Sequence, residues 1–354
     1  MQQDGRVDWV DVAKGICIFF VVMMHATLGV QDAAGSEGWM NAVVAWAQPF
    51  RMPDFFFIAG LFLMKTIDAP WRRFIDRKII HFVYFYLIWM VIQGVLKGGL
   101  ITGDFASIPG VLLTGLYEPF GTLWFIYILP IFFVVTRLTR SVPVWIMLAI
   151  GAALEIAPIS TGWGLFDEFC SRYVYFYAGY ALANHAFRMA DDVRTFPWLA
   201  VLFLSGWAVM NTFAVFTPAE LLGELRPISQ LPIVSLIMGA LGAIAVVSVA
   251  SLVTGTWLGR ILSYMGERSI VIYLAFFLPM VITREVGIRL GIVPDVGTLS
   301  LLTTIIAVGV PLLGYWMIEN IRLFGIFRFL FQRPDWAKIE HSGSSRRVSV
   351  APAE

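Results

Sequence analysis

Apolar stretches of about 20 residues, the length a helix needs to cross a hydrocarbon core roughly 30 Å thick, follow one another along almost the whole chain. Lipid offers no hydrogen-bond partner to a backbone, so spanning segments are helices or the strands of a closed barrel. The alternating pattern of barrel strands is absent here. The fold class is therefore all-α: a polytopic transmembrane helical bundle. Hydrophobic residues make up 59% of the 354 positions and charged ones 14%, which excludes a soluble enzyme carried on one anchor. A net charge of +1 provides no field to recruit nucleic acid.

Helices are expected near 9–30, 42–64, 77–97, 120–136, 142–158, 169–186, 196–216, 231–254, 262–289 and 298–320, about ten in all. The first carries Lys14 and His25 and lacks a small-residue cleavage site, so it reads as a retained helix rather than a signal peptide. The stretch Lys97 to Gly103 is rich in Gly, and the apolar piece Ile108 to Leu116 is too short to span, as in a re-entrant or interfacial element. Seventeen of the 25 Lys and Arg, from Arg6 and Lys65 through the run Arg72 to Lys78 and on to Arg346 and Arg347, fall on connections that share the side of the N-terminus. Only five (Lys97, Arg172, Arg226, Arg284 and Arg289) fall on the other side, which also carries Asp104, Asp167 and Glu224. That bias places both termini in the cytoplasm. Residues 1–334 form the membrane domain, and 335–354, polar and rich in Ser, read as a flexible cytosolic tail. Cys17 and Cys170 show no metal-ligand spacing and read as packing residues. No metal site and no tightly bound cofactor is expected.

Ionisable residues inside spans are costly and mark sites or pathways. Asp11, Lys14 and His25 share one face of the first helix. Lys14 and His25 are eleven residues apart, three turns plus about 20°, or roughly 16 Å along the axis. Two polar groups at different depths need a protein interior or a wet cavity, and a channel from the cytosol to mid-membrane would serve both. The plainer reading of Asp11 and Lys14 is an interfacial ion pair. In Gln48 to Gly60, Pro49 and Pro53 are expected to interrupt the second helix. Interrupted spans line cavities, so Arg51 and Asp54 are expected to edge the same site as His25. Leu123 to Tyr127, with Trp124 and Tyr127, is an aromatic stretch suited to a membrane interface, and Glu267 and Arg268 begin a span that contains Tyr273. His81, His185 and His341 sit at helix ends or in the tail and are given no chemistry. From these residues alone, an enzyme and a transporter stand nearly level.

The order and spacing of Asp11, Lys14, Gly15 and His25 resemble the N-terminal signature of the integral-membrane acyltransferase 3 family, which O-acylates carbohydrates and other acceptors from acyl-CoA. Met52 to Gly60 looks like that family's second-helix pattern, Leu123 to Tyr127 like its Leu-Trp-Phe stretch, and Ser269 to Leu274 like its late Ser-aliphatic-Tyr-Leu segment. The resemblance covers nearly the whole chain. Two departures stand out: Lys14 occupies a place where many members carry arginine, as in a lysine-variant subgroup, and Phe276 stands where many carry a second histidine. The extracytoplasmic esterase-like domain fused to some members is not expected here.

The resemblance implies a bacterial inner-membrane O-acyltransferase moving an acetyl or succinyl group from acyl-CoA to a glycan hydroxyl. His25 would be the general base or a covalent acyl carrier, and Arg51 or a backbone donor near the second helix would meet the oxyanion. Lys14, oriented by Asp11, would hold the coenzyme. Asp54, Trp124, Tyr127 and Tyr273 would line the substrate site. Acyl-CoA, a glycan acceptor and membrane lipids are the expected partners. The rival is a proton-coupled transporter or lipid-linked-sugar translocase using Lys14, His25, Arg51 and Asp54 as its path.

Overall fold

The computed structural model of the protein describes residues 7–96, 103–119, 121–220, 225–291 and 295–339. Arg6, Lys97, Glu224, His341, Arg346 and Arg347, most of the Gly-rich stretch, and residues 340–354 of the expected tail lie outside the described residues.

Every expected segment is helical, though several of them are divided between successive helices. In chain order these are α1 (Asp8–Ala34), α2 (Met40–Leu61), α3 (Trp71–Ile75), a π-turn (Asp76–Ile80), α4 (His81–Gly94), the short α5 (Ile108–Gly115), α6 (Trp124–Leu138), α7 (Val144–Ile156) and α8 (Gly164–Ala181). They continue with α9 (Ala183–Thr195), α10 (Pro197–Phe216), α11 (Pro232–Val253), α12 (Trp257–Glu267), α13 (Ser269–Ala275), α14 (Phe277–Leu290), α15 (Val296–Asn320) and a 3-10 segment (Arg322–Leu330). Five helical stretches are individually long and apolar enough to cross a membrane: α1, Gly121–Leu138, α10, α11 and α15. The pair α13 and α14, bent by 51°, makes a sixth. Helices α2 and α8 are interrupted by charge, and α7 has only 13 residues.

Two expectations about continuity are corrected. Helix α2 is not broken: its 22 residues run through both prolines. Each proline strips one N–H from the ladder and leaves the Ala45 and Pro49 carbonyls without a helical donor, but the turns on either side stay helical. Two neighbouring carbonyls accept side-chain donors as well, Trp46 O from Asn211 Nδ2 at 2.9 Å and Val44 O from Arg51 Nη1 at 3.4 Å. The break falls instead in the expected span 262–289, at Phe276 between α13 and α14. Pro279 offers no N–H to the Ala275 carbonyl one turn back, so the ladder opens there. The expected helix 169–186 likewise ends at Ala181 and turns into α9.

Helix α1 lies at the centre, packed by α2, α11, α12 and α15. Glycines set how closely it is approached. A Cβ on Gly15 would overlap the Leu262 carbonyl, and one on Gly266 the Asp11 carbonyl, so α1 and α12 touch backbone to backbone. Helices α2 and α8 make the same reciprocal contact through Gly60 on Phe176 O and Gly179 on Phe57 O. The aromatic content supplies the layer between α2, α6 and α8: Phe56 packs on Phe125 and Phe132, and Phe132 on Tyr173 and Phe176, at centroid separations of 4.9–5.4 Å.

Residues assigned to the basic side do meet at one end of the bundle. Arg140 pairs with Asp68 at 2.9 Å, Arg137 donates to Ala69 O at 2.6 Å, and Arg333 pairs with Asp76 at 2.8 Å. The expected tail begins there as packed chain rather than loose end: residues 335–339 run back to the π-turn, where Ile339 N donates to Asp76 Oδ1 at 2.8 Å.

Candidate functional site

At that basic end, α1, α2, α6, α13 and the π-turn enclose a cavity of about 260 Å³. Phe55 and Ile58 come from α2, Phe125, Ile126 and Leu129 from α6, and Ser269 and Tyr273 from α13. Lys14 and Lys78 are the charged residues that line it. Lys14 does what both sequence readings asked: its Nζ pairs with Asp11 Oδ1 at 3.0 Å, and the same side chain faces the cavity, 5.2 Å above the Phe62 ring. The close approach at Gly15 seats this turn against α12, a structural reason for the glycine that follows the base.

Sequence reasoning missed Lys78. It was one of several cations in the run Arg72 to Lys78, yet the π-turn carries it into the bundle, where its Nζ stands 4.6 Å over the Phe133 ring. The available signal was its place at the very start of an apolar span, the last cation before a run of aromatics.

His25 lies beyond the cavity, along the same helix. Its ring is 5.5 Å from that of Phe276, which in turn is 6.5 Å from Tyr273 on the cavity wall. Phe276 is fully buried and packs between the His25 and Tyr273 rings. Arg51 is 7% exposed, and its Nε has no partner among the described residues.

Asp54, one helical turn along α2 from Arg51, is 2% exposed, forms no ion pair with it, and leaves Oδ1 without a partner among the described residues. Nearby, Tyr175 and Ser235 both donate to Glu155 Oε1, at 3.2 and 2.9 Å.

The aromatic candidates divide. Tyr273 lines the cavity with its ring, but its hydroxyl is spent on α6: it donates to Thr122 O and accepts from Phe125 N at 3.2 Å. Trp124 sits one layer back, its ring 5.9 Å from Phe56, while its neighbours Phe125 and Ile126 reach the cavity. Tyr127 clamps the short helix α5, donating to Leu116 O at 2.8 Å beside Tyr86, which bonds Gly115 O. Glu267 and Arg268 pair at 3.1 Å, and Arg268 lies over Tyr264, 3.9 Å from its centroid, in keeping with a capping role. Cys17 and Cys170 are both buried and free.

Comparison with known proteins adds a family to this geometry. Residues 7–319 match the family described as Acyltransferase domain. The inner membrane protein YcfT of Escherichia coli K12 is 26% identical over 184 residues, 44% of this chain and 51% of that protein. The nodulation protein NolL of Mesorhizobium japonicum is 24% identical over 199 residues, 55% of this chain and 52% of that protein. The chain thus spans about half the length of the curated relatives it matches. No solved structure matches it. With the family match running from the start of α1 almost to the end of α15, through both lysine-bearing walls and the His25 turn, this multi-pass membrane protein belongs to the acyltransferase 3 family.

Proposed function

We propose that the protein is an O-acyltransferase of a bacterial inner membrane that moves an acetyl or succinyl group from acyl-CoA to a hydroxyl of a cell-envelope or exported glycan. The observation that carries this reading is the pairing of Lys14 and Lys78 on one apolar-walled cavity at the basic end of the bundle. Two ammonium groups suit the phosphates of a coenzyme arriving from the cytosol, each acting as a point charge rather than a bidentate fork. Phe55, Ile58, Phe125, Ile126 and Leu129 offer the apolar wall along which a pantetheine arm and its thioester would lie.

His25 supplies the proton chemistry. In direct transfer, the neutral imidazole takes the acceptor hydroxyl proton as the C–O bond forms. The C–S bond then breaks, and the proton passes to the departing coenzyme thiolate. In the two-step route, the imidazole itself takes the acyl group as the C–S bond breaks and its ring proton passes to the departing thiolate; the acceptor oxygen later displaces the imidazole, and the acceptor proton returns to the ring nitrogen. Arg51, buried and with its Nε unpartnered among the described residues, stabilises the oxyanion in either route.

The test uses purified protein in detergent with acetyl-CoA or succinyl-CoA and a bacterial glycan mixture, comparing wild type with His25→Ala at equal folded yield. Acceptor-dependent release of coenzyme A that disappears in His25→Ala supports the reading; no consumption by wild type refutes it. The transporter reading draws on buried Asp54 with its unpartnered oxygen beside Tyr175 and Glu155, an arrangement suited to proton movement. A transporter consumes no acyl-CoA.

A further inference from the structure

Lys78 reaches the cavity only because the chain between α3 and α4 winds as a π-turn, Asp76–Ile80. A π-turn carries one residue more than an α-turn, so the helix after it is rotated by about 100° relative to the helix before it. Such a turn has to be held. The residue that opens it, Asp76, is almost wholly buried, and each of its acceptors is engaged from the far end of the sequence. Arg333 Nη2 donates to Asp76 Oδ2 at 2.8 Å and Arg333 Nη1 to the Asp76 carbonyl at 2.8 Å, while Ile339 N donates to Oδ1 at 2.8 Å. The Arg333 and Asp76 side chains are 7% and 6% exposed. The approach of this segment is fixed as well: Trp89 Nε1 donates to Leu330 O at 2.9 Å, Tyr84 OH to Phe329 O at 3.0 Å, and Gln332 Nε2 to Tyr315 OH at 3.1 Å. Neither Arg333 nor Asp76 lines the cavity.

We infer that the segment Arg333–Ile339 is a positioning element for the donor site: its clamp on Asp76 holds the π-turn that aims Lys78 at the coenzyme. The inference rests on the reading of Lys78 as a coenzyme contact. A buried charge-assisted clamp fixes a backbone direction, whereas an exposed pair of the same residues would be screened and lax. Arg333 and Asp76 are positioning residues, acting on the ligand only through Lys78.

Coenzyme A binding to the detergent-purified full chain, measured by titration calorimetry, tests this on wild type, Lys78→Ala, Arg333→Ala and the double variant. Each single variant is expected to weaken binding about tenfold, the scale of one charge-assisted contact. The double variant is expected to bind no more weakly than Lys78→Ala alone, because Arg333 has nothing left to position. Multiplied effects in the double variant, or unchanged binding by Arg333→Ala, overturn the inference. Where Arg333→Ala does not yield folded protein, Ile339→Pro removes the backbone donor to Asp76 and leaves the Arg333 pair in place. A weakening of a few fold that vanishes in the Lys78→Ala background then supports the clamp, and no weakening overturns it. Unchanged binding by Lys78→Ala overturns this inference while leaving the acyltransferase reading intact; wild type that binds no coenzyme A at all removes the donor reading and the inference together.

Discussion

Replacing Gly266 by alanine adds one methyl group at the tightest point between α1 and α12. The new Cβ would overlap the Asp11 carbonyl oxygen and lie 2.7 Å from its carbon and 2.9 Å from Gly15 N. Carbon contacts relax at about 3.5–4.0 Å. All three atoms are backbone, so no rotamer change can clear them, and α12 has to retreat by roughly 1.5 Å. Overpacking of this kind costs about 1–3 kcal/mol. The turn displaced carries Asp11 and Lys14, and a shift of about 1 Å in a positioning group costs on the order of 100-fold in rate. The control is Gly206→Ala in α10, where nothing lies within 4 Å of the added carbon. There the helix gains about 0.5–1 kcal/mol from lost backbone freedom in the unfolded chain. Thermal unfolding in detergent should therefore move in opposite directions for the two variants, with coenzyme A binding lost only in Gly266→Ala. A Gly266→Ala protein that melts and binds like wild type would refute the backbone-to-backbone contact and the placement of Lys14 that depends on it.

Lys14→Arg keeps the charge and the pair with Asp11, so coenzyme A binding should remain near that of wild type, whereas Lys14→Ala should lose at least about tenfold; equal loss in both would contradict a charge-based role. Tyr273→Phe leaves the buried Thr122 carbonyl and the Phe125 N–H without their partner, so it should destabilise the protein by about 1–3 kcal/mol while coenzyme A affinity stays the same. Weakened binding at unchanged stability would return the hydroxyl to the substrate site. Burial alone would push the Asp76 carboxyl up, but the Ile339 N–H together with the Arg333 hydrogen bond and charge outweigh it and hold it below the usual carboxylate range. A depressed folded value means stability fully present above the unfolded value of about 3.9 and lost as pH falls through the folded one. The stability gap between wild type and Asp76→Asn should accordingly be constant from about pH 5 to 8 and close only in stronger acid; a gap that changes near neutrality would contradict the ion pair.

Local pattern made much of this molecule legible. Helix positions follow from apolar length because lipid leaves the backbone no alternative to the helix, and the basic end follows from where Lys and Arg fall between spans. The pairing of Asp11 with Lys14, and their sharing of a face with His25, follow from helical periodicity over a few turns. Proline was the signal that misled. In α2 the prolines remove the donors to the Ala45 and Pro49 carbonyls, yet the helix continues, held by its packing on α1, α8 and α11, with Asn211 of α10, 165 residues away in sequence, bonding the adjacent Trp46 carbonyl. In α14 the same residue type does open the chain, at Phe276.

What the sequence determined by itself is the all-α membrane bundle, the Lys14 turn and the acyltransferase 3 signature, because each is written in residues within a few turns of one another. Only the tertiary structure decided that Lys78 joins Lys14, that Phe276 packs between the Tyr273 and His25 rings, that Asp54 is buried without an ion pair to Arg51, and that Arg333 holds Asp76 across 257 positions. The physical reason is common to all four. Each depends on which helix faces meet and how closely, and that is set by glycine contacts and buried pairs between segments far apart in the chain, which no local periodicity records.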